Sequence, residues 1–339
     1  MRKGFIAAGL TVAMLSGLLV LAVPARAATI EVFPGDSIQE AIHQAQPGDT
    51  VLVHAGTYEG SVSIHKSGID LVGEGTGETG TTIVPGSDQQ VCGHGIFGIC
   101  VGNRHGAATD VHITGFTVTG FPVFGIIGFG TRGMVIESNA LIDDGEYGAA
   151  VFGGVGTKMR NNVASGNAIG LYIGDSPRAR AEITGNTLVD NEGFGLFLRA
   201  AAVGEVAGNR ISGNCVGIFL LNEGTITTAG WNIHGNAIVK NNDYCPASRE
   251  ENSPAFSGAG IVVLAGDENR IAGNEIRRNR PSGRVAFSGG IILASEGSDL
   301  VPDRNRFVGN DLISNAPNVL WDGSGHHNVF IDNHCVGAC

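Results

Sequence analysis

Residues 185–198 read GNTLVDNEGFGLFL, and residues 208–220 read GNRISGNCVGIFL. In both stretches a Gly-Asn pair precedes an aliphatic residue, a second Asn, and then a Gly that begins an alternating apolar segment. Alternating apolar and polar positions are typical of β-strands, whereas Gly and Asn favour tight turns. Each stretch therefore predicts short strands separated by turns.

The same pattern returns along the chain, most often after 23 or 24 residues. A unit this short buries its apolar side only by stacking on its neighbours. The sequence therefore predicts a solenoid of coils of about 23 residues, with strands about 4.8 Å apart. Asn tolerates left-handed turns, and stacked Asn side chains can form ladders. One predicted ladder contains Asn139, Asn162, Asn186, Asn209, Asn236, Asn274, Asn310 and Asn333, and the other contains Asp144, Asn167, Asn191, Asn214, Asn241, Asn279 and Asn315.

A short helix is predicted at residues 37–46, where it would cover the N-terminal end of the solenoid. Ser37 and Glu40 have the spacing of a capping box, and Ile38, Ala41 and Ile42 fall on one helical face. A solenoid needs such a cover because the edge strands of its first coil are unpaired.

Residues 37–75 (SIQEAIHQAQPGDTVLVHAGTYEGSVSIHKSGIDLVGEG) resemble the opening of pectin-lyase-like β-helix proteins. The repeated Gly-Asn phrases resemble the parallel β-helix repeats of that superfamily, including its NosD-like branch. The resemblance implies an all-β, right-handed parallel β-helix, with residues 28–339 as one domain. It leaves the activity open, because the superfamily includes lyases, hydrolases, esterases, epimerases and proteins without known catalysis. The Asp-Pro-His element of the mannuronan epimerases is absent.

Residues 1–27 are predicted to be a signal peptide: a basic start, an apolar stretch and the small residues that signal peptidase reads. The expected location is therefore extracellular or periplasmic, and an uncleaved membrane anchor is the alternative. Loss of Arg2, Lys3 and Arg26 would take the net charge from −11 to −14. A protein with this net negative charge is repelled by nucleic acid and by anionic membranes, so its overall charge excludes general binding to either. We expect a monomer.

Six cysteines in a protein outside the cytoplasm indicate disulfides. Cys215 and Cys245 follow matching Asn residues of adjacent coils, so we predict that they pair. Cys335 with Cys339, and Cys92 with Cys100, are the other expected pairs. A rival interpretation is a metal site formed by His326, His327, His334, Cys335 and Cys339.

Two long loops, residues 242–257 and 280–288, interrupt the repeat at the same corner of neighbouring coils. Lys240 and Arg278 share one register beside them. Elimination from a uronate needs a base for the C5 proton and positive charge near the carboxylate. We therefore predict Lys240, Arg278 and Arg277 as catalytic, Arg280 and Arg284 as substrate-binding, and Asp243, Glu250 and Glu251 as possible calcium ligands. A solvated basic patch paired with loop acids is the alternative.

The strands that begin with Gly place a row of apolar side chains on the outside of the solenoid. Tyr172, Phe197 and Phe219 lie in this row on three successive coils. An exposed apolar row requires a cover or a ligand. The three rings could stack on sugar rings, or the long loops could fold over them.

Two functions remain open. The first is action on an acidic polysaccharide or cell-surface glycan, as a polyuronate lyase or epimerase. The second is binding of a glycan, surface partner or metal without catalysis. A glycoside hydrolase is the less favoured alternative. It would use Asp143 and Asp190, which share the register of Lys240 and lie two coils apart. Their backbones would lie roughly 9–10 Å apart, near the carboxyl spacing of inverting enzymes.

Overall fold

The computed structural model describes residues 27–87, 97–102, 106–248, 254–336 and 339. Most of these residues lie in short β-strands, and a regular coil contributes one strand to each of three parallel sheets. We name them the first, second and third sheet, in the order in which the chain visits them.

The strands are as follows. The first sheet contains Thr29–Val32, Thr50–Val53, Asp70–Gly73, His112–Thr114, Val135–Glu137, Lys158–Arg160, Ala181–Thr184, Ala229–His234, Arg270–Ala272, Arg306–Val308 and Val329–Ile331. The second contains Gly56–Glu59, Thr81–Val84, Phe116–Thr119, Ala140–Ile142, Val163–Ser165, Thr187–Val189, Arg210–Ser212, Ala237–Val239, Glu275–Arg277, Asp311–Ile313 and His334–Cys335. The third contains Val62–Ile64, Phe97–Val101, Phe124–Phe129, Tyr147–Phe152, Ile169–Ser176, Val216–Leu221, Ala259–Leu264, Gly289–Ala294 and Val319–Trp321. One long strand, Phe194–Ala207, belongs to the third sheet at its start and to the first sheet at its end.

Neighbouring coils pair in parallel and place equivalent residues side by side. In the third sheet Leu171 lies beside Leu196, and Leu196 lies beside Ile218. All three are fully buried in the interior. In the three-residue strand Arg210–Ser212 only the middle residue, Ile211, points inward and is buried. The predicted coil and its apolar interior are confirmed.

The two predicted Asn ladders are present at the corners before and after the second sheet. The Asn186 Nδ2 atom donates to Asn209 Oδ1 at 2.9 Å, and the Asn186 backbone amide donates to the same oxygen at 2.9 Å. The Asn209 Nδ2 atom also donates to the Ile183 carbonyl at 2.9 Å. Gly185 and Gly208, which precede these Asn residues, have φ of 66° and 65°. Glycine adopts this left-handed backbone without steric cost, which explains the repeated Gly-Asn pair.

A third ladder, at the corner between the third and first sheets, was not predicted. The Trp231 backbone amide donates to Asn269 Oδ1 at 3.0 Å, and the Asn269 Nδ2 atom donates to Asn305 Oδ1 at 3.0 Å. Asn305 continues to Asn328 at 3.0 Å. This ladder runs through only the C-terminal coils, so its Asn positions repeat too few times to be recognised in the sequence.

The predicted N-terminal helix is confirmed at Ile38–Gln44. The Ser37 hydroxyl accepts a hydrogen bond from the Glu40 backbone amide at 3.2 Å. The Gln39 side chain accepts from the Ser63 amide at 2.7 Å and donates to the Ser63 carbonyl at 3.2 Å. The helix therefore satisfies backbone groups that the first coil would otherwise leave open.

The predicted signal peptide falls on residues 1–27, and residues 1–26 lie outside the described part of the chain. Within the described ranges, no helix has the length and apolar character needed to cross a membrane.

Candidate functional site

The outer face of the third sheet carries a second buried apolar cluster, separate from the solenoid interior. Tyr172, Phe197 and Phe219 are exposed by only 1%, 8% and 4%. Phe256, from the first long loop, packs with its ring centroid 5.7 Å from that of Phe219. Phe287, from the second loop, lies 5.4 Å from Phe256. Of the two alternatives for this row, the structure shows the cover by loop residues, so these three buried rings are not available to stack on a sugar.

Tyr172 is further fixed by a polar contact that the sequence did not reveal. Burial raises the pKa of the Tyr172 hydroxyl, and the nearby Arg199 guanidinium partly offsets this rise. Arg199 Nη2 lies 2.6 Å from Glu223 Oε2, and Arg199 Nη1 lies 3.8 Å from Asp175 Oδ1. These acids neutralise Arg199. Arg199 therefore stabilises the position of Tyr172, and because two acids neutralise it, it is not available as a cation for a ligand.

Lys240 and Arg278 occupy the corner between the second and third sheets on neighbouring coils, as their shared register predicts. Both side chains are exposed, and neither forms an ion pair with an acid in the described part of the chain. Their φ angles are 57° and 58°. Other coils have the same left-handed backbone at this corner, where their equivalent positions carry Asp143, Gly166, Asp190, Gly213 and Ser314. The corner therefore presents two unpaired cations in a chain of net charge −11.

Arg277 does not belong to this pair of cations. It ends the strand Glu275–Arg277 and contacts Asp311 in an ion pair; its Nη1 atom lies 3.3 Å from Glu275 Oε1. The hydrogen bond to Asp311 raises the pKa of the Arg277 guanidinium, and it lowers the pKa of the Asp311 carboxyl. The prediction of Arg277 as a catalytic group is corrected on this ground, because its two acid partners keep it protonated, so it cannot act as the base, and they occupy its charge.

The two long loops lie side by side, as predicted, and hydrogen bonds join them. The Ser257 hydroxyl donates to the Asn242 carbonyl at 2.9 Å, and the Ser282 hydroxyl donates to the same carbonyl at 2.5 Å. The Ser282 backbone amide donates to the Ser257 hydroxyl at 3.0 Å. The Arg280 amide donates to Asn242 Oδ1 at 2.7 Å. Residues from both loops therefore form one wall.

The predicted disulfide between Cys215 and Cys245 is confirmed, with Cα atoms 5.9 Å apart. It ties the first loop to the coil beneath it. Cys245 also pairs with Phe256 across the loop: the Cys245 amide donates to the Phe256 carbonyl at 2.9 Å, and the Phe256 amide donates back at 3.0 Å. The loop is thus fixed at its base.

An open groove of about 760 Å³ runs along this wall and crosses several coils. Among its aromatic and aliphatic side chains, Tyr244 is exposed, at 47%. Arg280 lies at its edge, where its Nε atom donates to the Ser314 carbonyl at 2.7 Å. The lining residues are Ala168, Glu192, Gly193, Asn242, Asp243, Tyr244, Cys245, Pro246 and Ser282.

The structure brings only some of the remaining predicted site residues together. Asp243 lines the groove, whereas Glu250 and Glu251 lie outside the described residues. Arg284 is exposed in the second loop. Asp143 and Asp190 are exposed on the predicted corner, and their carboxylates lie against the glycines of the following coils.

The predicted disulfide between Cys335 and Cys339 is confirmed, with Cα atoms 5.6 Å apart. The bond removes both thiolates, so the rival five-ligand metal site with His326, His327 and His334 does not form. The predicted pair of Cys92 and Cys100 cannot be placed, because Cys92 lies outside the described residues.

Parallel strands in three stacked sheets, Asn ladders at the corners and a capping helix define the class of right-handed parallel β-helix proteins. The chain belongs to the family described as "Periplasmic copper-binding protein (NosD)", matched over residues 61–253, and to "Right handed beta helix region", matched over residues 170–339. The predicted family resemblance and fold are confirmed.

Solved structures share this fold at low sequence identity. An alginate lyase from Paenibacillus sp. is 16% identical with a TM-score of 0.61, covering 91% of this chain and 99% of its own. The A-module of a mannuronan C-5 epimerase from Azotobacter vinelandii is 20% identical with a TM-score of 0.61, covering 88% of this chain and 89% of its own. No curated protein matches the chain by sequence.

Proposed function

We propose that the protein binds an acidic polysaccharide at the corner that carries Lys240 and Arg278, and acts on it as a polyuronate lyase or epimerase. The observation that carries this proposal is the pair of exposed cations, which have no acid partner among the described residues. Their placement on adjacent coils, about 4.8 Å apart along the stack, suits a polymer that presents regularly spaced carboxylates. Structural neighbours that act on alginate support the same substrate class.

In the proposed reaction Lys240 removes the proton at C5 of a uronate while Arg278 and Arg280 stabilise the carboxylate charge that develops. In a lyase the electron pair left at C5 forms the C4–C5 double bond. The C4–O bond breaks, and the leaving oxygen takes a proton. In an epimerase C5 receives a proton from water on its opposite face, and Lys240 gives its own proton to water. Both reactions begin with the same proton removal.

The backbone of this corner holds the two cations at a fixed spacing. Lys240 and Arg278 have φ of 57° and 58°, the left-handed backbone that Asp143, Asp190 and Ser314 adopt at the same corner of other coils. The repeat therefore enforces this conformation, and Lys240 and Arg278 place long cationic side chains on it. Here the hydrogen bonds from Lys240 N to the Arg277 carbonyl and from Arg278 N to the Ile313 carbonyl, both 3.0 Å, hold the two backbones.

Copper, which the family description names, does not fit the described residues. No group of three or more His, Cys, Asp or Glu in the described ranges has the geometry to hold a metal ion. Met134 and Met159 are fully buried in the solenoid, and the four cysteines at the two confirmed disulfides are not available as thiolates. No step is therefore assigned to copper. Calcium remains a proposal, with Asp243 in the groove as one oxygen ligand.

Two further proposals concern location and partner. We propose that the protein functions outside the cytoplasm, because its disulfides would be reduced inside the cell. The partner is an acidic polysaccharide or cell-surface glycan.

The test is turnover of alginate, pectate and glycosaminoglycans, each with calcium and with chelator. Ultraviolet absorbance reports the unsaturated uronate, and exchange of the C5 proton with heavy water reports epimerisation. We expect Lys240→Ala to abolish either signal. Arg306→Ala, which removes an exposed cation from the first sheet, is the matched control and keeps the signal.

Absence of turnover on every polymer, with alginate binding that Lys240→Ala weakens, would favour the non-catalytic glycan-binding alternative. Absence of both turnover and binding would reject the proposed function.

A further inference from the structure

Tyr244 differs from the other aromatic residues on this side of the molecule. Phe219 and Phe256 are buried, whereas the Tyr244 side chain is 47% exposed and lies in the groove. We infer that Tyr244 is a stacking surface for a pyranose ring of the polysaccharide. The inference rests on the proposed function and adds a subsite to it.

The backbone on both sides of Tyr244 is fixed before any ligand binds. The preceding residue, Asp243, donates its amide to the Asn214 carbonyl at 3.2 Å. The following residue, Cys245, is held by its disulfide to Cys215. A residue held in this way loses little conformational freedom when a ligand stacks on it, which favours affinity.

Gly283 of the second long loop holds the ring itself. A Cβ atom at Gly283 would lie 2.7 Å from both Cδ2 and Cε2 of Tyr244. The tyrosine ring therefore packs on the backbone of Gly283 on one side. Any larger residue at position 283 would displace the ring, so the two loops position it jointly.

The surroundings of the ring suit a sugar. The apolar faces of tyrosine supply a large contact area, and a few polar groups beside such a surface fix the orientation of a ligand. Glu192 and Asp243 are exposed carboxylates in the same groove, and they accept hydrogen bonds from hydroxyl groups. Ala168 and Gly193 also line the groove, and neither has a side chain larger than a methyl group.

This arrangement also sets the orientation of the polymer. A uronate carboxylate would be repelled by Glu192 and Asp243 and attracted by Lys240 and Arg278. We therefore assign the hydroxyl edge of one ring to the subsite at Tyr244, and the carboxylates to the cationic corner.

The experiment measures binding of alginate hexasaccharide and of an uncharged glucan hexasaccharide to the whole protein by calorimetry. Tyr244→Ala is expected to weaken alginate binding by roughly tenfold, the upper end of a stacking contribution. Tyr244→Phe keeps the ring and should stay within about twofold of the original protein. Gly283→Ala should weaken binding although Tyr244 is unchanged.

Trp321→Ala is the matched control, because Trp321 is 41% exposed in the last strand of the third sheet and does not line the groove. Circular dichroism and the count of free thiols establish that each variant is folded and oxidised. We expect the control to bind as the original protein does.

The outcomes separate this inference from the proposed function. If Lys240→Ala weakens alginate binding and Tyr244→Ala does not, the stacking role is overturned and the proposed function stands. If alginate does not bind but the uncharged glucan binds through Tyr244, the proposed substrate class is wrong and the stacking role stands. If neither sugar binds, both are rejected.

Discussion

The solenoid interior and the outer face of the third sheet are both apolar and both buried, but different parts of the chain cover them. Ile218 points inward, is fully buried, and pairs with the equivalent residues Leu196 and Ile261 of adjacent coils. Its neighbour Phe219 points outward, and Phe256 from an inserted loop packs on it. Repetition thus buries one side of the strand, and two insertions bury the other. Stability and binding should therefore respond to different substitutions.

The strongest test of the repeating solenoid concerns Asp144. This residue occupies a position of the second ladder where the other coils have Asn. Its Oδ1 atom accepts from the Phe121 amide at 3.0 Å, but its buried Oδ2 atom has no hydrogen-bond partner among the described residues. One coil later the Nδ2 atom of Asn167 donates to the Leu141 carbonyl at 3.1 Å. A carboxyl group can donate in that way only when protonated. Burial raises the pKa of Asp144 to about 8.

We expect Asp144→Asn to have the largest effect on stability. The native protein retains a proton that the unfolded chain releases above its ordinary pKa of 3.8, so stability falls as pH rises from there to about 8. The loss is up to about 1.4 kcal/mol per pH unit. The Asn variant should lack this dependence and be more stable at about pH 8, as measured by urea unfolding across the pH range.

Asp143→Asn is the control for this substitution, since Asp143 is the exposed neighbour of Asp144. It should keep the pH dependence of the original protein, reduced only by the small part of the raised Asp144 pKa that the Asp143 charge contributes. Parallel curves for Asp144→Asn and the original protein would show that Asp144 is ionised in the native ladder.

The second prediction compares the two sides of one strand directly. Ile218→Ala should cost about 3 kcal/mol in the free energy of unfolding, because it leaves a cavity between coils that cannot collapse. Phe256→Ala should cost less than about 2 kcal/mol, because its loop can move into the space. Hydrogen exchange should rise over the whole solenoid in the first variant and in the long loops alone in the second. Equal losses with the same exchange pattern would mean that the outer cluster unfolds with the core.

The sequence predicted the features that depend on regular spacing. The coils, two Asn ladders and the disulfide between Cys215 and Cys245 all follow from the register of adjacent repeats, and the helix at Ile38–Gln44 follows from its local cap. Tyr244 could not be found in this way. Its position depends on how one insertion packs on Gly283 of the other, and neither insertion follows the repeat.

The two alternatives for the aromatic row were left open for the same reason. The alternation of the strands correctly placed Tyr172, Phe197 and Phe219 on the outside, but it could not decide whether a loop or a ligand covers them. Phe256 and Phe287, the phenylalanines of the two insertions, are the residues that favour the loop cover. Arg199 was missed because its partners Asp175 and Glu223 belong to the adjoining coils.

The smallest expected effect on stability is that of Arg277→Ala, and we compare this variant with Arg278→Ala. The two arginines are neighbours in sequence but lie on opposite sides of the end of a strand. Arg277 is half-exposed and paired with Asp311 and Glu275, so Arg277→Ala should change the free energy of unfolding by about 0.5 kcal/mol or less. It should leave polysaccharide turnover unchanged, whereas Arg278→Ala should reduce turnover by at least about tenfold. Loss of turnover in Arg277→Ala with normal stability would move the site from the corner to the outer face of the second sheet. Comparison of the two variants therefore tests whether activity requires the unpaired cation at the corner or only a high local density of positive charge.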